Sequence, residues 1–222
     1  MLKGKKISVI IPAYNEEDRL PRVLEGIPAF VDEVIVIDDG SLDGTYNVAK
    51  AFAEKDTRIK AIRLEKNCGK GCAMREGIRH STGDIVVFMD ADGQHRPGEI
   101  IKLVEPIAKG EADMVIGARR IQEVGKRPWV RRLSNVITTR LIRLKLRTYV
   151  YDTQSGFRAY RREFLPEIES DRYEVETEML IKAAKMGARI KEVPVSMIYD
   201  PRREGRFSVR DVFRFVRAYL KF

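Results

Sequence analysis

The stretch GDIVVFMDADGQH, residues 83–95, sets an unbroken apolar run directly against two carboxylates and a glycine. An apolar run this short, rich in β-branched residues and closed by turn-formers, reads as a strand buried on both faces. Similar runs recur at residues 7–11, 33–37, 59–64 and 113–116, with residues 84–89 as the fourth in chain order. Helical spacing lies between them, around Leu20, Val23, Leu24 and Ile27, then at residues 44–53, 71–78 and 97–108. Strand alternating with helix predicts an α/β fold with a twisted, mainly parallel sheet. In open sheets of this kind ligands bind beyond the carboxyl ends of the strands, which is where the acids of residues 83–95 fall.

Beyond residue 117 the rhythm changes to a basic amphipathic stretch at 128–149, a turn-rich DTQSGFRAY at 152–160, a helix at 174–186, a strand ending near Val195 and a basic helix from Ser208. No Pro/Gly/Ser-rich linker separates the parts. Residues 1–222 are therefore expected to form one domain, with 118–222 elaborating 1–117. No run approaches the roughly 20 apolar residues needed to span a bilayer. The N-terminus meets Pro12 and acidic residues after a short apolar run, unlike a secretory signal, so a cytosolic protein is expected. The two cysteines, Cys68 and Cys72, lack the further ligands of a zinc site and are read as free thiols in a reducing compartment.

Charge is unevenly placed. Residues 1–116 carry 17 basic and 20 acidic side chains, residues 117–222 carry 25 and 13, and the net charge is +9. Residues 119–147 hold ten basic side chains against one acid, Glu123, a composition suited to phosphates on nucleic acid, an anionic membrane or a phosphorylated substrate.

Three strands end in acids and turn-formers: Pro12-Ala13-Tyr14-Asn15-Glu16-Glu17, Asp38-Asp39-Gly40-Ser41 and Asp90-Ala91-Asp92-Gly93-Gln94-His95. Asn15 and Asp39 each fit the role of a helix cap as well as that of a ligand. Asp90 and Asp92 fit a cation better, because carboxylates at the end of a buried strand repel each other. Alternate residues of an extended segment share a side, so the pair can converge on one ion, and oxygen ligands suit Mg²⁺ or Mn²⁺ when a diphosphate completes the shell.

VIIPAYNEE, EVIVIDDGSLDGT, KNCGKGCAMREG, GDIVVFMDADGQH and DTQSGFRAYRRE, in this order, resemble the family 2 inverting glycosyltransferases of the GT-A fold, a three-layer sandwich on a mainly parallel twisted sheet. Among them the sequence is most similar to dolichyl-phosphate mannose synthases and other polyprenyl-phosphate hexosyltransferases. The resemblance implies that residues 1–117 bind a nucleotide-sugar and that 118–222 face the acceptor and the membrane. It places Pro12, Tyr14, Asn15, Glu16 and Asp39 around the nucleotide, with Lys70 and Gly71 nearby. Asp90 and Asp92 would hold the divalent metal, with Gln94 as a third protein ligand; His95 is read as an exposed turn histidine. Arg119 and Arg131 or Arg132 would meet donor and acceptor phosphates. Asp152, Ser155, Gly156 and Arg158 match a motif on the acceptor side, while Arg202 and Gly205 match a loop that closes over the donor.

A polyprenyl phosphate is already an anion and needs no general base, so catalysis would rest on positioning and charge neutralisation. A glycan hydroxyl would need one, from Asp152, Glu176 or Glu178. GDP-mannose is the first expectation for the donor, UDP-glucose the rival. Basic amphipathic helices at 128–149 and from Ser208 would bring the protein to the cytoplasmic face of a membrane, with or without a separate anchoring partner. A nucleic-acid-binding module and a catalytically silent nucleotide-sugar subunit are the readings from other classes; the acidic strand ends argue against the first, the intact Asp90 and Asp92 against the second.

Overall fold

The computed structural model describes residues 2–119, 140, 150–172, 174–198, 219, 221 and 222. Five strands and four helices alternate in the first part: β1 (Ile7–Ala13), α1 (Leu20–Glu25), β2 (Glu33–Asp38), α2 (Thr45–Lys55), β3 (Ile59–Arg63), α3 (Lys70–His80), β4 (Ile85–Phe88), α4 (Ile100–Ala108) and β5 (Met114–Arg119). β6 (Arg158–Arg161), α5 (Val175–Lys185) and β7 (Ile190–Val195) follow. All seven strands join one sheet in the order β3-β2-β1-β4-β6-β5-β7. β1 to β4 pair in parallel, as do β5 and β7, whereas β6 runs antiparallel between β4 and β5.

Period-two alternation distributes the core between two faces. Ile7, Val9 and Ile11 of β1 pack with Leu20, Val23 and Leu24 of α1 and Leu103 and Val104 of α4. Ile10, with Ile35 and Ile37 of β2, faces Ala73 and Met74 of α3 and Met179 and Leu180 of α5 on the other side. Both faces of the central strands are therefore covered, which is why β1, β2 and β4 read as continuous apolar runs. The result is three layers, with helices on either side of the sheet.

β6 refines the sequence reading of residues 152–160 as turn-rich, for the last three of them enter a strand. Arg158-Ala159-Tyr160-Arg161 has no β-branched residue and two arginines, so Tyr160 is its one strand-forming residue, yet Arg158, Ala159 and Tyr160 are buried. The basic stretches at 128–149 and from Ser208 fall almost wholly outside the described residues. Of their described positions, Tyr219 packs against the second core face, and Phe222 contacts Ile181 of α5. Among the described residues no helix is long and apolar enough to cross a membrane.

The pole of the sheet away from the cleft is held by a buried charge. Glu33 is 6% exposed and accepts hydrogen bonds from Ser8 Oγ (2.5 Å), Thr82 N (2.8 Å) and Thr82 Oγ1 (2.8 Å), with Lys6 and Lys60 at 3.3 Å. Burial raises its carboxyl pKa, but the bonds from Ser8, Thr82 and Lys6 outweigh burial and bring it from 4.5 down to about 2. Because the folded value is depressed, this stabilisation is present above pH 4.5 and is lost as pH falls through about 2. Glu33→Gln is expected to cost about 2–3 kcal/mol at neutral pH and to flatten the fall in melting temperature across that acid window, read by thermal unfolding at stepped pH.

Candidate active site at the strand ends

Strand order reverses between β1 and β4, each neighbouring strands reached by connections on opposite sides, and the crevice beyond this switch point is the site the topology favours. A cleft of 480 Å³ opens there, lined by Pro12 near the end of β1, Tyr14 and Glu16 after it, Asp39 after β2, Asn67, Gly69 and Lys70 at the start of α3, Asp90 and Asp92 after β4, and Arg172. Seven residues expected at the nucleotide or metal are thus brought together, from four separate strand and helix ends. Asn15, Gly71 and Gln94 do not line it.

The walls are built by side chains acting on backbone. Asn15 takes a left-handed φ of 55°, its N–H donating to Ser41 Oγ (3.0 Å) and its Oδ1 accepting from Leu42 N (2.9 Å), so it ties the first loop to the second. Asp39 accepts from Cys68 N (2.8 Å) and Gly69 N (2.9 Å) and thereby fixes the loop that delivers Lys70. Neither caps the helix that follows its own strand; the N-cap of α2 is Gly44, and Asp43 one residue earlier accepts from Thr45 N at 3.0 Å. Burial raises the Asp39 carboxyl above the ordinary carboxylate value against the pull of its two N–H donors. Gly69, at φ 101°, and Gly71 both lie hard against the 170–171 backbone, where a Cβ would collide with the Asp171 or Ser170 carbonyl. Gly71 therefore works by close packing.

Cys68 and Cys72 form a disulfide across this same loop, with Cα atoms 5.9 Å apart, which corrects the expectation of free thiols. The last loop residue before Gly69 and the first turn of α3 bring two positions four apart to disulfide distance.

At the other wall Asp90 and Asp92 both line the cleft, although β4 ends at Phe88 and residues 91–92 form a turn, so the convergence comes from that turn and Gly93 at φ 71°. The chain just after Asp92 is fixed by an Asx turn, Gln94 N donating to Asp92 Oδ1 at 3.0 Å. Burial and the adjacent charge of Asp90 push the Asp92 carboxyl up to about 7. Burial also raises Asp90, but the Lys70 ammonium, 2.5 Å away, brings it below the ordinary value. Among the described residues no group of three His, Cys, Asp or Glu side chains converges as a ready-made metal site. Two carboxylates that repel each other in a cleft fit a hard divalent cation whose remaining ligands come from a bound diphosphate.

His95 is 8% exposed and stacks on Phe157 at 5.0 Å, which corrects its reading as an exposed turn histidine; burial holds its pKa down to about 4, and Nδ1 has no hydrogen-bond partner among the described residues. Arg119 and Asp152 form a bidentate pair, Nε to Oδ2 and Nη2 to Oδ1 both at 2.5 Å, at the end of β5. Burial lowers the Arg119 pKa and the Asp152 charge more than restores it, so the guanidinium stays charged beside the cleft. Asp152 engaged in this way is a partner for Arg119 rather than a free base. Glu178 is fully buried, accepts from Glu169 N and Ser170 N, and pairs with Lys182 at 2.7 Å, so it holds α5 to the 169–170 loop and is no candidate base. Ser155 and Arg158, expected on the acceptor side, are buried instead: Arg158 is 2% exposed and spends its guanidinium on three backbone carbonyls. Arg131, Arg132, Arg202 and Gly205 lie outside the described residues. Asn67 and Arg172 line the cleft without having been expected there; Asn67 lies inside the KNCGKGCAMREG stretch without being singled out in it, and Arg172 lies in none of the motifs.

The chain matches the model of glycosyl transferase family 2 over residues 8–169. A UDP-N-acetylglucosamine–dolichyl-phosphate N-acetylglucosaminyltransferase of Methanococcus voltae is 34% identical over 220 residues, covering 89% of this chain and 88% of that protein. A dolichol-phosphate mannosyltransferase of Pyrococcus furiosus is 33% identical over 223 residues, covering 96% of this chain but 62% of the relative. The crystal structure of glucosyl-3-phosphoglycerate synthase from Mycobacterium tuberculosis with Mn²⁺, UDP and phosphoglyceric acid superposes with a TM-score of 0.73 at 26% identity, over 98% of this chain and 76% of that one. A switch-point cleft walled by strand-end carboxylates, on a sheet of this order, is thus the cleft of a GT-A glycosyltransferase, and the chain belongs to glycosyl transferase family 2.

Proposed function

We propose that this glycosyltransferase moves a hexose from a nucleoside-diphosphate sugar to a polyprenyl phosphate with inversion, and that residues 1–222 act as one catalytic domain. The observation that carries the donor side is the pairing of Asp90 and Asp92 in one cleft with Lys70 and Arg172. Pro12, Tyr14, Glu16 and Asp39 form the nucleotide end. Asp90 and Asp92 would hold Mg²⁺ or Mn²⁺, assisted by Gln94, and the ion would supply positive charge to the departing diphosphate. The structural neighbour holds Mn²⁺ with UDP, which supports this choice.

The acceptor reading rests on the two relatives whose names specify dolichyl phosphate, and on the basic composition of residues 119–147. A phosphate oxygen of the lipid attacks the anomeric carbon as the bond from that carbon to the diphosphate oxygen breaks; one displacement inverts the configuration. No proton needs to be removed from the nucleophile, which agrees with Asp152 being spent on Arg119. Arg119, with Arg131 and Arg202 as further candidates, would neutralise the approaching phosphates. Work on a lipid acceptor would bring the protein to the cytoplasmic face of a membrane, with or without an anchoring partner.

The donor and acceptor are tested together. GDP-mannose, UDP-glucose and UDP-N-acetylglucosamine, each radiolabelled, are offered in turn with a short polyprenyl phosphate, the corresponding polyprenol, or 3-phosphoglycerate, the last because the structural neighbour binds phosphoglyceric acid. Label on the polyprenyl phosphate from one donor, and none on the polyprenol, is the expected result, with GDP-mannose the first expectation. Label on 3-phosphoglycerate alone would replace the lipid acceptor by a small soluble phosphate.

A further inference from the structure

Lys70 is the first residue of α3 and sits between two carboxylates. Its Nζ lies 2.5 Å from Asp90 Oδ1 and 2.7 Å from Glu176 Oε1, and its side chain is 16% exposed, against 28% for Asp90 and 10% for Glu176. Three features of the fold hold this bridge in place. Gly69 and Gly71 press the start of α3 against the 170–171 backbone. The first turn of α5 is pinned where Arg158 Nη1 donates to the Glu176 carbonyl at 2.5 Å. Gly156 leaves the room the bridge occupies, for a Cβ there would come within 2.6 Å of Asp90 Oδ2 and 2.8 Å of Lys70 Nζ.

An ammonium bonded to a carboxylate opposes a second cation on that carboxylate, by charge and by occupying a lone pair. A second carboxylate on the same ammonium weakens that opposition, because Lys70 keeps a partner when its hold on Asp90 loosens. We propose that Lys70 is a built-in counter-ion competing with the divalent metal for Asp90, and that Glu176 is a positioning residue that sets how strongly it competes. The inference rests on the reading of Asp90 and Asp92 as metal ligands. The other charged or titratable groups facing the bridge are Asp92, His95 and Arg119, with Asp152 bound to Arg119, and all four remain unchanged in the variants below.

The test is titration of the full chain with Mn²⁺ in the absence of nucleotide, free Mn²⁺ being read by its paramagnetic resonance signal. Lys70→Met is expected to tighten Mn²⁺ binding by about tenfold and Glu176→Gln to weaken it by about tenfold, the scale of one charge lost a few ångströms from a partly buried site. The effect of Glu176→Gln is expected to shrink in the Lys70→Met background, the coupling that marks a residue acting through another. Lys70→Gln carries the same test should the methionine variant not fold, with thermal unfolding as the check. Unchanged or weaker Mn²⁺ binding on loss of Lys70, or an equal Glu176→Gln effect in both backgrounds, overturns the inference. Failure of the unsubstituted chain to take up Mn²⁺ overturns the metal reading itself, and separates the two failures.

Discussion

Asp92→Asn is expected to lower sugar transfer by about a hundredfold to a thousandfold while leaving the fold as stable as before or more so. The two halves of this outcome come from one feature of the cleft. Asp92 carries a charge that burial and Asp90 both disfavour, which is why its carboxyl is pushed up to about 7. A group in that position costs folding free energy near and above neutral pH, so replacing it by a neutral isostere relieves the molecule. The same charge is what draws a divalent cation to the diphosphate end of the cleft, and loss of preorganised charge at a leaving group typically removes two to three orders of magnitude in rate, about 3–4 kcal/mol. Steady-state transfer and thermal unfolding measured on the same preparation read both. Activity within threefold of the unsubstituted chain would remove Asp92 from the metal site; loss of activity together with a lower melting temperature would make its role structural.

Arg158→Met is expected to destabilise the protein by about 3–5 kcal/mol, the scale of three buried carbonyls left unsatisfied at about 1–3 kcal/mol each, less what is recovered by removing a buried charge. Arg158 is 2% exposed, and its guanidinium donates to Ser155 O (2.6 Å), Glu176 O (2.5 Å) and Thr153 O (2.6 Å). Those carbonyls belong to the loop before β6 and to the first turn of α5, so one side chain joins the segment carrying Asp152 and Gly156 to the helix carrying Glu176. Methionine fills similar volume but leaves three buried carbonyls unsatisfied. Arg158→Lys is expected to recover only part of the loss, because a single ammonium cannot reproduce the planar fork that reaches three acceptors. Urea unfolding at neutral pH measures both; a change below about 1 kcal/mol for the methionine variant would contradict the assignment.

Much of the first half was legible because its physics is local. The central strands are buried on both faces, so their sequences are apolar without interruption, and the turn-formers that end them mark the sheet edge where ligands bind. The carboxylates at those edges were readable for the same reason: nothing in a buried strand explains them. What escaped the sequence depended on long-range contacts. β6 enters the sheet between β4 and β5, a placement fixed by pairing with residues some seventy and forty-five positions earlier, as in Val86 with Tyr160 and Val115 with Ala159. Arg158 looks like a surface cation until the three carbonyls around it are known. His95 looks like a turn histidine until Phe157, sixty-two positions later, is stacked on it. The Cys68–Cys72 bond follows from the path of the loop into α3, which Asp39 imposes from another strand end.

The most direct test of the account is transfer by the metal-stripped full chain. After chelator treatment and dialysis, the protein is mixed with the radiolabelled donor and a short polyprenyl phosphate, then divided between buffer alone and buffer with Mn²⁺ or Mg²⁺. Label extracted into organic solvent only after metal is returned, on a product of inverted anomeric configuration, is the predicted result. Equal labelling with and without metal, or a product of retained configuration, would contradict it.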